Sequence, residues 1–176
     1  LLRADPSARD DLVARHVDDE VALGELELRS PVHPGALRDF VSFERHVQGM
    51  EAGKGHAHPP DAWYEHPTMI FMNPHSALGT GEPVEIPPDA SVMDFELEVA
   101  AVMGREQAAD CIAGYTICND WSARDIQGRD MRMGLGPSKG KDFGTTIGPW
   151  VVTTDELAPY VRQGPPKRLD LAMSVS

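Results

Sequence analysis

The sequence is poor in basic residues, cysteines and long apolar segments. It has 16 Lys and Arg against 28 Asp and Glu, so its formal net charge is −12. Because nucleic acids and anionic membranes bind clustered cations, this balance argues against both as partners. No apolar run approaches the roughly 20 residues that span a bilayer, and the first residues, LLRADPSARDD, lack a signal peptide's apolar centre. We therefore expect a soluble, cytoplasmic protein.

The chain of 176 residues is long enough for one domain with its own hydrophobic core. We divide it into an N-terminal segment or small appendage at residues 1–30 and a main domain at residues 31–176. The final residues, LDLAMSVS, alternate as a strand does. We therefore expect the chain to be incomplete at its C-terminus. The two cysteines, Cys111 and Cys118, lie in an apolar segment and favour packing over a disulfide or a thiolate metal site.

The strongest predicted strand is SVMDFELEVAAVMG at residues 91–104, where acidic and apolar residues alternate. In a strand, Asp94, Glu96 and Glu98 would share one face. The two glutamates would then lie about 7 Å apart, close enough to bind one cation that prefers oxygen ligands. The alternative is the solvated face of an ordinary antiparallel strand.

The other segments predict a mixture of helices and strands. Residues 36–50, ALRDFVSFERHVQGM, have helical apolar periodicity, which would place Asp39 and His46 near one helix face. Residues 51–68 are rich in Pro, Gly and His and predict a mobile loop or lid. Strands are predicted at 69–74 and 143–154, and residues 106–120 should begin as a helix and end as a strand.

Polar residues are dense in the segment 114–149, which contains NDWSARDIQ and GKDFGTT. Arg124 and Gln127 follow Asp120 at four and seven residues, so a helical turn would place them on one side. Such density between glycine turns suggests a site. The alternative is a surface helix in which Arg124 pairs with Asp120 or Asp125.

Together, the motifs DFELE, NDWSARDIQ and GKDFGTT resemble those of the fumarylacetoacetate hydrolase family. The resemblance covers about residues 37–160 and implies an α+β fold, a mixed β-roll or β-sandwich of the family's C-terminal-domain type with short helices. It also implies a homodimer, and residues 31–176 as the catalytic domain. A longer loop is usual in the family after Arg105, so the chain has either a short turn or omitted residues there.

The resemblance assigns metal ligands and catalytic residues. Glu96, Glu98 and Asp120 would bind the metal with Asp39 as a fourth ligand, and His46 follows Asp39 at the spacing of the catalytic histidine. Carboxylates without nearby Cys or His favour Mg2+ or Mn2+, with Ca2+ as an alternative. Fumarylacetoacetases carry Tyr two residues after this Asp, whereas this chain has Val41, which would remove a substrate hydrogen bond.

The implied reaction is metal-dependent hydrolysis of a carbon–carbon bond in a 1,3-dicarbonyl or 2-keto acid, of the fumarylacetoacetate or acylpyruvate type, in aromatic catabolism. His46 would take a proton from water while the metal holds the substrate as an enolate. Arg124 would bind a substrate carboxylate, and Gln127 and Lys141 would stabilise negative charge. The alternatives are oxaloacetate-type decarboxylation, 2-hydroxydienoate hydration or isomerisation, and a catalytically silent metal-binding relative.

Overall fold

The computed structural model describes residues 6–15, 20–104, 111–162 and 168–169. The strands in these residues are β1 Leu37–Phe40, β2 Met69–Met72, β3 Ala77–Leu78, β4 Met93–Asp94, β5 Leu97–Met103, β6 Ile112–Asp120, β7 Ser122–Ala123, β8 Thr145–Ile147, β9 Val152–Thr153, β10 Val161–Arg162 and β11 Arg168–Leu169. The α-helices are α1 Pro6–Arg15, α2 Glu44–Gly53, α3 Asp61–Glu65, α4 Arg124–Met131 and α5 Thr154–Leu157. Short 3₁₀ helices form at Leu23–Glu25, Pro74–Ser76, Ser138–Gly140 and Ala158–Tyr160.

The largest sheet has the order β3-β8-β6-β5, and β9 also pairs with β6. The β5–β6 and β6–β8 pairs are antiparallel, whereas β3 and β8 run parallel. Two-stranded sheets form from β1 with β2, β4 with β7, and β10 with β11, and none of the sheets in the described residues closes on itself. The α+β class with short helices is confirmed. Within the same residues, no helix combines the length and apolar character needed to cross a membrane.

Polar side chains occupy much of the interior around the end of β6. The buried apolar residues Val47, Met72 and Ile147 are accompanied by the nearly inaccessible Asp120 and Lys141. Burying a charge is costly unless it is paired. Asp120 and Lys141 therefore need partners of opposite charge in this part of the interior.

The predicted helix at 36–50 is wrong in its first half. Residues Leu37–Phe40 form β1, in which Asp39 lies opposite Ile70 of β2, and the helix α2 begins only at Glu44. Four residues are too few to separate a period of 2 from one of 3.6, so cross-strand pairing decided the outcome. Asp39 and His46 therefore lie on different elements.

The predicted strand at 91–104 is interrupted at Phe95 and Glu96. Its first part, β4, pairs with β7, and its second part, β5, pairs with β6. At the interruption the Glu96 N–H donates to Asn119 Oδ1 over 3.0 Å, and Glu96 O accepts from the Asp120 N–H over 3.0 Å. The chain is thus held beside the end of β6 although the ladder is broken.

Three further predictions need adjustment. The strand predicted at 143–154 is two strands, β8 and β9, separated by residues 148–151, and the Gly148 N–H donates to the Ile117 carbonyl of β6 over 2.8 Å. The strand that ends at Asp120 already begins at Ile112, while the helix predicted ahead of it falls on residues 106–110, outside the described part. The strand predicted at the C-terminus likewise falls outside it beyond residue 169.

The segment 51–68 is more ordered than its composition predicts, because it contains the end of α2 and all of α3. Trp63 Nε1 donates to the Val41 carbonyl over 2.7 Å, and the Tyr64 hydroxyl donates to Glu44 over 2.8 Å. The two aromatic rings also pack edge to face. These contacts anchor the segment to the start of α2.

Candidate metal centre and active site

Three carboxylates from separate strands converge. Asp39 comes from β1, Glu98 from β5, and Asp120 from the end of β6. One carboxylate oxygen from each lies within 4.8 Å of the others. The antiparallel β5–β6 pairing places Glu98 opposite Cys118, two residues before Asp120. Three of the four predicted metal ligands therefore lie together.

Asp120 is the most buried member of this cluster, at 1% exposure. Its Oδ2 accepts a short hydrogen bond from the ammonium of Lys141, which is itself only 4% exposed. Its Oδ1 is buried and has no hydrogen-bond partner in the described residues. Since buried polar atoms are nearly always satisfied, this oxygen is available to a ligand. An all-oxygen donor set fits Mg2+, Mn2+ or Ca2+.

The electrostatics of the cluster also favour a cation. Burial raises the pKa of Glu98 to about 7, and the neighbouring carboxylates of Asp39 and Asp120 add to this effect. Burial raises the pKa of Asp120 to about 6, although Lys141 opposes the shift. Burial raises the pKa of Asp39 as well. Three carboxylates crowded this closely repel one another when ionised, and a divalent cation would relieve that repulsion.

Glu96, the fourth predicted ligand, lies beside the cluster and is held by two cations. Its Oε1 accepts from Arg124 Nη1 over 2.6 Å, and its Oε2 accepts from Lys141 Nζ over 2.7 Å. Burial alone would raise the pKa of Glu96, but the bonds from Lys141 and Arg124 lower it. Glu96 is therefore an ionised carboxylate, and Lys141 bonds both Glu96 and Asp120.

Arg124 pairs with Asp94 and Glu96, so the alternative in which it pairs with Asp120 or Asp125 is not the one observed. Its Nε and Nη2 both lie 2.8 Å from Asp94 Oδ2. The cause is tertiary, because α4 begins directly after β7, and β7 pairs with the strand that carries Asp94. Arg124 Nη1 also donates to Gln127 Oε1 over 2.9 Å, which leaves the Gln127 amide nitrogen as a donor.

Close packing behind Lys141 directs its side chain into the site. The 3₁₀ helix Ser138–Gly140 lies so near α4 that a Cβ on Gly140 would sit 2.6 Å from the backbone nitrogen and Cα of Gln127. Only glycine permits that approach. On the other side, Asn73 Nδ2 donates to the Asp142 carbonyl over 3.1 Å. The segment that carries Lys141 is therefore fixed from both sides.

His46 is exposed and lies in the first turn of α2, the helix that follows β1 in the chain. A positive charge on His46 would oppose, more weakly than that of Lys141, the burial that raises the pKa of Asp39. A strand and a helix supply Asp39 and His46 separately, and the role of His46 stays a prediction.

Two residues near the cluster were not predicted to belong to the site, and one of them, Cys118, was predicted to pack in an apolar segment. Cys118 Sγ lies 3.7 Å from Glu98 Oε2, and burial raises the pKa of this thiol. Thr145 lies opposite Asp120 in the β6–β8 pair, and its buried hydroxyl has no partner in the described residues. Strand alternation could have indicated Cys118, since it lies two residues before Asp120. The position of Thr145 depends on long-range pairing.

The fold and the carboxylate cluster define an α+β protein with a candidate centre for a divalent metal. Residues 36–176 match the family model described as "Fumarylacetoacetate (FAA) hydrolase C-terminal". The chain belongs to the fumarylacetoacetate hydrolase family, which confirms the resemblance of its motifs.

Curated relatives and solved structures agree with this membership. The chain is 34% identical to fumarylacetoacetase from Arabidopsis thaliana, over 92% of this chain and 44% of that protein. It is 35% identical to fumarylacetoacetase from Bos taurus, over 77% of this chain and 38% of that protein. The chain thus spans less than half the length of either relative. The solved 5-carboxymethyl-2-hydroxymuconate delta-isomerase from Mycobacterium smegmatis matches with a TM-score of 0.56 and 30% identity, covering 76% of this chain and 50% of that one.

Proposed function

We propose that this chain carries the active site of a divalent-metal-dependent hydrolase that cleaves a carbon–carbon bond in a 1,3-dicarbonyl or 2-keto acid. The observation that carries the proposal is the convergence of Asp39, Glu98 and Asp120, with one oxygen of each within 4.8 Å of the others. The buried, unpartnered Oδ1 of Asp120 supports it. The fumarylacetoacetases among the relatives favour hydrolysis, with fumarylacetoacetate or an acylpyruvate as the substrate type.

Asp39, Glu98 and Asp120 would hold Mg2+ or Mn2+, with Ca2+ as an alternative. Glu96 is the proposed fourth ligand and would have to give up its bond to Arg124 or Lys141. The metal would supply Lewis acidity and a template for two substrate oxygens.

The remaining residues act on protons and on developing charge. His46 is exposed on α2 and is the proposed base that takes a proton from water. Lys141 and the amide nitrogen of Gln127 would stabilise the negative charge that forms on the attacked carbonyl. Arg124 makes four contacts with Asp94, Glu96 and Gln127, so among the described residues one of its five N–H groups remains for a substrate carboxylate.

Isomerisation or hydration of a 2-hydroxydienoate is the second candidate function. The solved isomerase that is 30% identical to this chain favours it. Both reactions place negative charge on a substrate oxygen, which a cation held by Asp39, Glu98 and Asp120 would stabilise, and they differ in where the proton is delivered. Proton delivery therefore distinguishes the two candidates, and His46 favours hydrolysis because an exposed imidazole can reach water.

Family membership also supports proposals about the catalytic domain, the assembly and the cellular location. We propose residues 31–176 as the catalytic domain, a homodimer as the assembly, and the cytoplasm as the location. Sedimentation of the purified chain and cell fractionation test the last two.

The test compares the chain with Glu98→Gln and with Glu65→Gln, a control at an exposed position on α3. An acylpyruvate, fumarylacetoacetate and oxaloacetate are assayed with Mg2+ or Mn2+ and with a chelator. We expect chelator-sensitive release of two carbon fragments that Glu98→Gln abolishes and Glu65→Gln retains. Carbon dioxide alone would indicate a decarboxylase, and a rearranged product would indicate the isomerase. Metal binding without turnover of any substrate would indicate a silent relative.

A further inference from the structure

The thiol of Cys118 is a hydrogen-bond partner of one carboxylate in the cluster. Its Sγ lies 3.7 Å from Glu98 Oε2, within hydrogen-bonding distance for a sulfur donor. A cysteine thiol is protonated at neutral pH, so it donates to the ionised carboxylate, which accepts. Among the described residues, the Glu98 carboxylate makes no other hydrogen bond and no ion pair.

The register of the largest sheet fixes this contact. Cys118 of β6 lies directly opposite Glu98 of β5 and, on its other side, opposite Ile147 of β8. Directly opposite residues project from the same face of a sheet, with Cβ atoms about 4.5–5.5 Å apart. Ile147 is 3% exposed, and its side chain has no acceptor atom. Of the two side chains that face Cys118 across these ladders, only that of Glu98 can accept a bond from the thiol.

A thiol suits this position because it carries no charge. Asp120, another proposed metal ligand, is bonded by the ammonium of Lys141, which neutralises part of the charge that a cation would otherwise meet. Glu98 is held instead by a neutral donor, so its full negative charge stays available to a cation. A carboxylate has about four lone-pair sites, and one bond from the thiol leaves the others for coordination.

We propose that Cys118 is a positioning residue of the metal centre, whose thiol holds the Glu98 carboxylate in the orientation that binds the cation. Cys118 acts through Glu98 and is not itself a ligand. Hydrogen-bond partners of metal ligands commonly contribute about 10–100-fold to metal affinity. The inference rests on the proposed function, because it needs a metal at Asp39, Glu98 and Asp120.

Titration calorimetry of the 176-residue chain with Mn2+ tests the proposal by comparing the parent with Cys118→Ala, Cys118→Val and Cys118→Ser. Alanine is smaller than cysteine and valine is larger, and neither side chain can donate a hydrogen bond. We expect both variants to weaken Mn2+ binding by about threefold to tenfold, a modest effect because a thiol is a weak donor. Cys118→Ser keeps a donor and should bind Mn2+ within about twofold of the parent.

Matched variants assign the effect to the bond with Glu98. Cys111→Ala and Cys111→Val make the same changes at the other cysteine, which is also partly buried and directly precedes β6. Both should leave the Mn2+ affinity unchanged, whereas Glu98→Gln should lose most of it. Thermal unfolding in the presence of a chelator verifies that each variant is folded. Cys118→Ala and Cys118→Val differ in opposite directions in size, so either folded variant is sufficient for the comparison.

The outcomes separate this proposal from the proposed function. If Cys118→Ala and Cys118→Val bind Mn2+ as the parent does while Glu98→Gln does not, the positioning role is overturned and the metal-dependent function stands. A loss in Cys118→Ser as large as in Cys118→Ala, or an equal loss in the Cys111 variants, would also overturn the positioning role. A parent chain that does not bind Mn2+ would overturn both proposals.

Discussion

Replacement of Lys141 by methionine should strongly destabilise the metal-free protein. The ammonium of Lys141 is 4% exposed and neutralises Asp120, which is 1% exposed, while also bonding Glu96. Removing one partner of a buried ion pair costs about 3–5 kcal/mol, because the other charge remains buried and unpaired. For a chain of this size, that loss lowers the thermal midpoint by about 6–20 °C. Differential scanning calorimetry in the presence of a chelator measures it.

The loss of stability in the Lys141→Met variant should depend on pH and on added metal. The pKa of Asp120 is raised to about 6 against the opposing effect of Lys141, so removing Lys141 raises it further. A carboxyl whose folded pKa exceeds its unfolded pKa loses stability as pH rises. The Lys141→Met deficit should therefore be largest above pH 7 and shrink towards pH 5. Mg2+ should raise the thermal midpoint of the variant more than that of the parent, because it restores positive charge beside Asp120.

Two controls keep this prediction open to refutation. Lys139→Met changes an exposed lysine two residues away and should alter the free energy of unfolding by no more than about 0.5 kcal/mol. Adding Asp120→Asn to Lys141→Met removes the unpaired charge and should recover part of the loss. A Lys141→Met midpoint equal to that of Lys139→Met, or a double variant no more stable than Lys141→Met, would refute the ion-pair reasoning.

Two more predictions concern the cluster and the packing behind it. Affinity for Mn2+, measured by titration calorimetry, should rise from pH 5.5 to 8 because Glu98 and Asp120, with pKa values of about 7 and 6, must lose protons to bind a metal. A constant affinity over that range would contradict this role. Gly140→Ala should lower the free energy of unfolding by about 1–3 kcal/mol, because its Cβ would meet the Gln127 backbone at 2.6 Å. Gly128→Ala lies in open space on α4 and should be neutral or stabilising by up to about 1 kcal/mol in chemical denaturation. Equal losses in the two variants would contradict the packing explanation.

The sequence pattern predicted some parts of the site well because their signals are local. Alternation in residues 97–103 predicted β5 and the face that carries Glu98, and the structure confirms that strand. The run ending at Asn119 and Asp120 predicted a carboxylate at a strand end, which is also confirmed. Both depend on the orientation of successive side chains, which backbone geometry sets within a few residues.

Sequence patterns gave wrong predictions where hydrogen bonding to distant segments set the local structure. Simple alternation places Glu96 beside Glu98, but the interruption at Phe95 and Glu96 sends Glu96 to Arg124 and Lys141. A helical period placed Asp39 beside His46 on one element, but pairing with β2 made Asp39 part of a strand. Neither change is visible locally, because each depends on hydrogen bonds to segments distant in the chain.

The amino-acid sequence by itself determined the acidic character of this protein, its family and the motif residues Glu98, Asp120 and Lys141, because charge and short motifs are local properties. Only the tertiary structure decided which carboxylates meet and that Lys141 rather than Arg124 neutralises Asp120. The physical reason is that β1, β5, β6 and the segment before β8 are brought together by sheet pairing and close packing. Those long-range contacts set the distances between charges, and the distances set the electrostatics of the site.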